Sequence, residues 1–186
     1  MTYDYTIPGL SRLWRNTFAK AVGDGWELSG ITSLLSGEPS GVSYSLVSTT
    51  DLTGGGGTGV TSRPDVKGLV ALPKSERTPL RAFRTENIAP PADRFGRGTA
   101  PRDVFRGPGS ANFDLTINKV FKFGQDGSKS IQFRFETYNS FNHTNFSGID
   151  TTARFDAAGV QTNARFGQYT SALTARKAQV GLKFAF

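Results

Sequence analysis

The sequence predicts an all-β chain: a segment of antiparallel transmembrane β-barrel wall with one short amphipathic helix and long loops. Three observations predict it. In the last ten residues, Ala178, Val180, Leu182, Phe184 and Phe186 alternate strictly with Lys177, Gln179, Gly181, Lys183 and Ala185. A period of two with one apolar side is a strand between two different environments. A terminal aromatic suits the closing strand of an outer-membrane barrel, whose apolar side faces lipid. Second, residues 111–123 and 129–141 alternate in the same way on either side of a glycine-rich turn. Third, the chain has no apolar run of the roughly 18 residues that a membrane-crossing helix needs.

The elements follow in order along the chain. Tyr3 to Ile7 alternates weakly and stops at Pro8, which marks the end of a strand. Leu10, Leu13, Trp14, Phe18 and Ala21 then recur at helical spacing, with Ser11 as N-cap and Arg12, Arg15 and Lys20 on the other side. This predicts a short amphipathic helix over 11–21, stopped by Gly23-Asp24-Gly25. Trp26 to Ser36 is the next strand, with Trp26, Leu28, Thr32 and Leu34 on one face and Glu27, Ser29 and Ser33 on the other. Ile31 and Leu35 fall on the polar side. From Gly37 regular patterning fades for about seventy residues, through the Gly54–Gly57 tract and a series of prolines, so 37–110 is expected to be a long loop.

The clearest hairpin comes next. Phe113, Leu115, Ile117, Phe121 and Phe123 share one face of the strand over 111–123, and Ile131, Phe133 and Phe135 share one face of the return strand. The turn between them is 124–128. Pairing Phe123 with Lys129 brings Phe121 opposite Ile131, Ile117 opposite Phe135 and Leu115 opposite Thr137, all on one side. That side is the predicted lipid face. The other side brings Asn118 beside Arg134, Thr116 beside Glu136 and Asp114 beside Tyr138, a wet surface that would face a barrel lumen. Lys119 interrupts the apolar side, where its long stem would let the ammonium snorkel to the interface. A second loop, 142–172, precedes the closing strand over 174–186. In barrels of this kind the C-terminus lies in the periplasm, which puts the 124–128 turn and the helix on that side. The loops 37–110 and 142–172 then point to the cell exterior.

Composition bounds the function classes. The chain has 186 residues, including 15 Phe and 22 Gly but no Cys, which excludes disulfides and thiol-ligated metal sites. The formal net charge is +7, and 63–106 alone carries ten basic and five acidic residues. Glycine, proline and the lack of helical periodicity there point to a solvated loop or an anion-attracting one, and no nucleic-acid partner is expected. The opening residues, MTYDYTIPGLSRLW, lack a basic start followed by an apolar core. The expectation is therefore the tail of a longer polypeptide.

The blocks GWELSGITSLLSGEP, SRPDVKG, FRGPGSANFDLTINKVFKF, IQFRFETYNSFNHTNF and AQVGLKFAF occur in this order. Together they resemble the C-terminal part of TonB-dependent outer-membrane receptors, closest to the Oar-like subgroup with an N-terminal carboxypeptidase-regulatory-like domain. The resemblance covers nearly the whole chain. It implies a barrel of about 22 strands, of which residues 1–186 supply the last four or five. The implied function of the complete protein is uptake of a nutrient of siderophore, vitamin or glycan type. The plug, the remaining barrel, the TonB complex and outer-membrane lipid are the implied partners. Val180, Leu182, Phe184 and Phe186 would form the signal read by the barrel-assembly machinery.

No cofactor and no catalytic set is expected. His143 is the only histidine, with no cluster of metal ligands or triad partners near it in sequence. Gly54–Gly59 lacks the Gly-Lys-Ser/Thr of a phosphate loop. Asp114, Arg134 and Glu136 read as lumen polarity rather than an acid–base pair. Arg77, Arg81, Arg84, Arg94, Arg97, Arg102 and Arg106 are the candidates for meeting an anionic ligand, equally explained by solvation or by lipopolysaccharide phosphates. Two other readings stay open: a small barrel, porin or adhesin formed by self-association, and a soluble secreted β-sandwich that binds carbohydrate through Trp26 and exposed phenylalanines.

Overall fold

The computed structural model describes residues 1–9, 20, 22–46, 62–92, 98–123, 128–156 and 158–186. Its strands are β1 (Thr2–Ile7), β2 (Trp26–Leu35), β3 (Pro39–Ser40), β4 (Ser43–Leu46), β5 (Asp65–Val66), β6 (Ile88–Ala89) and β7 (Phe105–Arg106), followed by β8 (Ser110–Phe123), β9 (Lys129–Tyr138), β10 (Phe146–Ile149), β11 (Thr152–Phe155), β12 (Tyr169–Ala172) and β13 (Lys177–Ala185). Most of the predicted helix over 11–21 lies outside the described residues, as do the Gly54–Gly57 tract and 124–127 of the predicted turn; Lys20, Val22 and Gly23 are helical. No described helix is long and apolar enough to cross a membrane.

The chain forms two compact units. The first comprises Met1–Leu35, Ser110–Asn145 and Thr174–Phe186. It is one open antiparallel sheet in the order β1-β2-β8-β9-β13, with β1 and β13 at its edges. The five predicted strands are all present. The hairpin register is the one the alternation requires: Phe123 pairs with Lys129, Phe121 with Ile131, Ile117 with Phe135 and Leu115 with Thr137. The ladder stops at that last pair. Asn139 has a φ of 52°, which turns the chain out of the sheet. Asp114 therefore does not pair with Tyr138 as expected. Its Oδ1 instead accepts the Asn139 N–H at 2.9 Å and an Asn112 amide hydrogen at 2.9 Å, closing the strand end.

The same parity runs across the whole sheet. Leu28 pairs with Ile117 and Trp26 with Lys119; Tyr5 pairs with Leu28; Val180 pairs with Phe135, Leu182 with Phe133 and Phe184 with Ile131. Gly30 sits on this apolar face beneath Tyr3, where an added Cβ would lie 2.7 Å from the Tyr3 ring. The glycine leaves the space that the aromatic occupies, a known device for holding a bare position in a sheet. Connections alternate between the two ends. The β1–β2 and β8–β9 connections leave one end, the turn end, while the β2–β8 and β9–β13 connections leave the other, the loop end.

The second unit corrects the expectation of a structureless loop. Ser36–Gly109 and Phe146–Leu173 fold together. Their core contains Val42, Tyr44, Val70, Phe83, Ile88, Phe105, Ala153, Phe155 and Phe166. Phe83 is fully buried, stacked on Phe105 at 4.6 Å and met edge-on by Phe166 at 5.3 Å. The two loops are joined by a parallel pairing of β4 with β11. Short two-stranded pairs, β3–β7, β5–β6 and β10–β12, are also present among the described residues. The core residues are scattered between Val42 and Phe166 without a period, because the strands are two to four residues long and the contacts are non-local.

Candidate functional site

The five-stranded sheet presents two chemically different surfaces. One face carries Leu28, Phe113, Leu115, Ile117, Phe121, Ile131, Phe133, Phe135, Val180, Leu182 and Phe184 in register. Val180, Leu182 and Phe184 are each more than 60% exposed, and Phe186 fully so. A row of large apolar side chains held open in this way has no stable place in water. From Phe113 to Phe123 the strand rises about 34 Å at ~3.4 Å per residue. At a tilt of about 40° this spans ~26 Å of thickness, which matches the apolar band of membrane barrels. Both ends of the band carry aromatics. Phe113, Phe141 and His143 cluster at the loop end, with the Phe113 and Phe141 rings 5.0 Å apart. Trp26, Phe121, Phe123 and Phe184 lie toward the turn end.

The opposite face is a hydrogen-bonded polar surface spanning β8, β9 and β13. Asn118 pairs with Arg134 and Thr116 with Glu136. Glu136 is its centre and is largely buried. It forms an ion pair with Arg134, accepts the Tyr138 hydroxyl at 3.3 Å and accepts the Gln179 side-chain amide. Asn118 Oδ1 is the one buried side-chain oxygen among the described residues without a hydrogen-bond partner. The role of Gln179 was missed in the sequence, although its pairing with Glu136 follows once β13 is placed beside β9.

Lys119 departs from expectation. It does not snorkel; it is 1% exposed. Its ammonium donates to the Asp24 carbonyl and lies 5.4 Å from the Trp26 ring and 4.8 Å from the Phe121 ring. A main-chain acceptor and two aromatic faces replace the water that the cation gives up.

The YNSFNH block acts as a backbone clamp. Asn139 and Asn142 both adopt left-handed backbone, at φ 52° and 54°, a conformation asparagine tolerates better than most residues. Asn139 accepts the His143 N–H and donates to the His143 carbonyl, each at 2.9 Å. Asn142 accepts the Arg176 N–H at 3.2 Å, tying the block to the approach of β13. His143 is exposed and packs near the Phe113 and Phe141 rings. Among the described residues no group of three or more His, Cys, Asp or Glu is placed to hold a metal ion.

In the second unit, most of the described candidate arginines hold the fold. Arg106 donates to the Gly37 carbonyl at 3.1 Å, and Gly107 N–H donates to Glu38, so the GEP and RGPG blocks meet. Arg77 donates to the Leu72 carbonyl and Arg84 to that of Ala71. Arg81 pairs with Glu86 at 2.6 Å. Arg102 is exposed, while Arg94 and Arg97 lie outside the described residues. Asp65 accepts the Thr99 N–H at 2.8 Å and the Ala92 N–H at 3.1 Å. The Thr99 bond, more than any other contact, holds its carboxyl below the usual carboxylate range. An open depression of about 400 Å³ is lined by Lys67, Thr85, Glu86, Phe155 and Gln161 among others.

A two-faced antiparallel sheet with a membrane-height apolar band defines a transmembrane β-barrel wall. A family model described as an outer membrane beta barrel domain matches residues 1–179. The chain belongs to that family, and its place is the outer membrane. No curated protein and no solved structure matches it.

Proposed function

We propose that the chain is wall and loops of a TonB-dependent receptor, which in its complete form takes up a nutrient of siderophore, vitamin or glycan type. The observation that carries this reading is the parity of the sheet. Phe113, Leu115, Ile117, Phe121, Ile131, Phe133 and Phe135 face lipid. Asp114, Thr116, Asn118, Arg134 and Glu136 face a lumen wide enough to hold a plug. The polar network around Glu136 suits a wall that packs against protein rather than lining open water. Both β1 and β13 offer an unpaired edge, which in lipid costs several kcal/mol per bare backbone group. Further strands of the same barrel would cover them, and β13 with Phe186 is the segment the assembly machinery reads. The blocks that carry the receptor resemblance also do definite work: GEP meets RGPG, and the asparagine block closes the loop end of the sheet.

In this reading the turn end lies in the periplasm and the segments 37–110 and 142–172 are extracellular, where Arg102 and the wall of the Lys67–Gln161 depression would meet ligand. The test is uptake by cells carrying the complete protein, with and without the TonB complex. The reading expects uptake to stop when TonB is removed or the proton gradient is dissipated. Uptake that continues at the same rate would mark a passive pore instead.

A further inference from the structure

The turn Val22–Gly25 is gripped from the apolar face of the sheet. Lys119 and Trp26 lie on that face by register. Lys119 donates its ammonium to the Asp24 carbonyl, and the Trp26 indole N–H donates to the Val22 carbonyl at 2.8 Å. Gly25, at φ 74°, makes the reversal that carries the chain onto this side while its own carbonyl still accepts the Val120 N–H at 3.2 Å. Any larger residue there would be strained and would bring a Cβ to 3.0 Å from the Val120 carbonyl oxygen. The turn is thus folded back over the outside of the wall.

Lys119 is four residues from Phe123, about 14 Å along the strand and ~10 Å in depth at the usual tilt. A cation so placed within the apolar band is unfavourable unless covered. The turn supplies the cover. Val22 is 47% exposed, and Lys20, which precedes the turn, is exposed as well, an apolar residue and a cation near the edge of an apolar band.

We propose that the Val22–Gly25 turn is a membrane anchor, lying against the wall at the depth of Lys119, just inside the headgroup layer of the phospholipid leaflet at the turn end. Val22 enters the acyl boundary and Lys20 meets lipid phosphate. The inference rests on the reading of the apolar face as lipid-facing. Residues 1–186 contain no cysteine, so once any cysteine elsewhere in the complete protein is replaced, a nitroxide can be placed at Val22→Cys, with Leu182→Cys as a reference within the band. Each is introduced into the complete protein in outer-membrane vesicles. Collisions with oxygen, enriched in lipid, are compared with those of a water-soluble nickel chelate. The expected result is oxygen-favoured relaxation at both positions, with the Val22 label shifting to nickel-favoured when Lys119→Met releases the turn. A nickel-favoured Val22 label beside an oxygen-favoured Leu182 label overturns the anchor alone. Nickel-favoured labels at both overturn the lipid-facing assignment as well. A Val22 label unmoved by Lys119→Met overturns the role of Lys119 as its fastening.

Discussion

Asn145 brackets Ala111: its side-chain oxygen accepts the Ala111 N–H at 2.9 Å, and its amide donates to the Ala111 carbonyl at 3.0 Å. Asn145 is buried, so the side chain acts as a one-residue strand partner at the loop end of β8. Asn145→Ala leaves both groups of Ala111 unpaired. The expected cost is about 1–3 kcal/mol. It should appear as a lower urea midpoint for the assembled protein. Asn145→Asp should fall between, because it keeps the acceptor and loses the donor.

The two faces of the sheet should respond differently to charge. Phe133→Arg or Leu182→Arg places a guanidinium on the apolar face, at about 2–4 kcal/mol near the bilayer midplane. Both should reduce the amount of complete protein assembled in the outer membrane. Thr116→Arg adds the same charge to the polar face and should be tolerated. Equal loss from both classes contradicts the face assignment.

Asp65 gives the second unit an acid sensitivity. Its folded carboxyl is held below its ordinary value of 3.8, chiefly by the Thr99 N–H, with the Ala92 N–H adding to the effect. A depressed folded pKa means that the carboxylate stabilises the fold fully above the unfolded value. That contribution is lost as pH falls through the folded value. Protection of the Thr99 and Ala92 amides from hydrogen exchange, taken relative to a free amide at the same pH, should therefore fall below about pH 4. In Asp65→Ala that protection should already be low at neutral pH, and its acid dependence should flatten.

Phe83 is the centre of the second unit, packed against Phe105 and Phe166. Phe83→Ala removes a fully buried ring and should cost about 3–5 kcal/mol. Limited proteolysis should then cut within 62–92 while the 110–138 hairpin stays protected.

The sheet could be read from the sequence because its rules are local. Alternation in Phe113–Phe123 and Ile131–Phe135 fixes which side chains share a face, and the turn between them fixes the register. The second unit could not be read in this way. Tyr44 meets Phe155, and Phe83 meets Phe166, across more than eighty residues, and strands as short as Ile88–Ala89 leave no period to detect. Lys119 looked like a flaw in the apolar face because its partner is a main-chain carbonyl, which leaves no mark in the sequence. Asn139 and Asn142 were recognisable as a family block, but their left-handed backbone was not. Arg77, Arg84 and Arg106 look like ligand candidates by charge alone, whereas in the fold each of them donates to a backbone carbonyl.

In the proposed receptor a single parity divides this wall between lipid and lumen. The most direct measurement places one cysteine at a time from Ile131 to Thr137 in the complete protein. Each is labelled with a small fluorophore, and quenching by brominated phospholipids is read in membranes. Strong quenching is expected at 131, 133 and 135 and weak quenching at 132, 134 and 136. Quenching without a period of two, or strongest at the even positions, would contradict it.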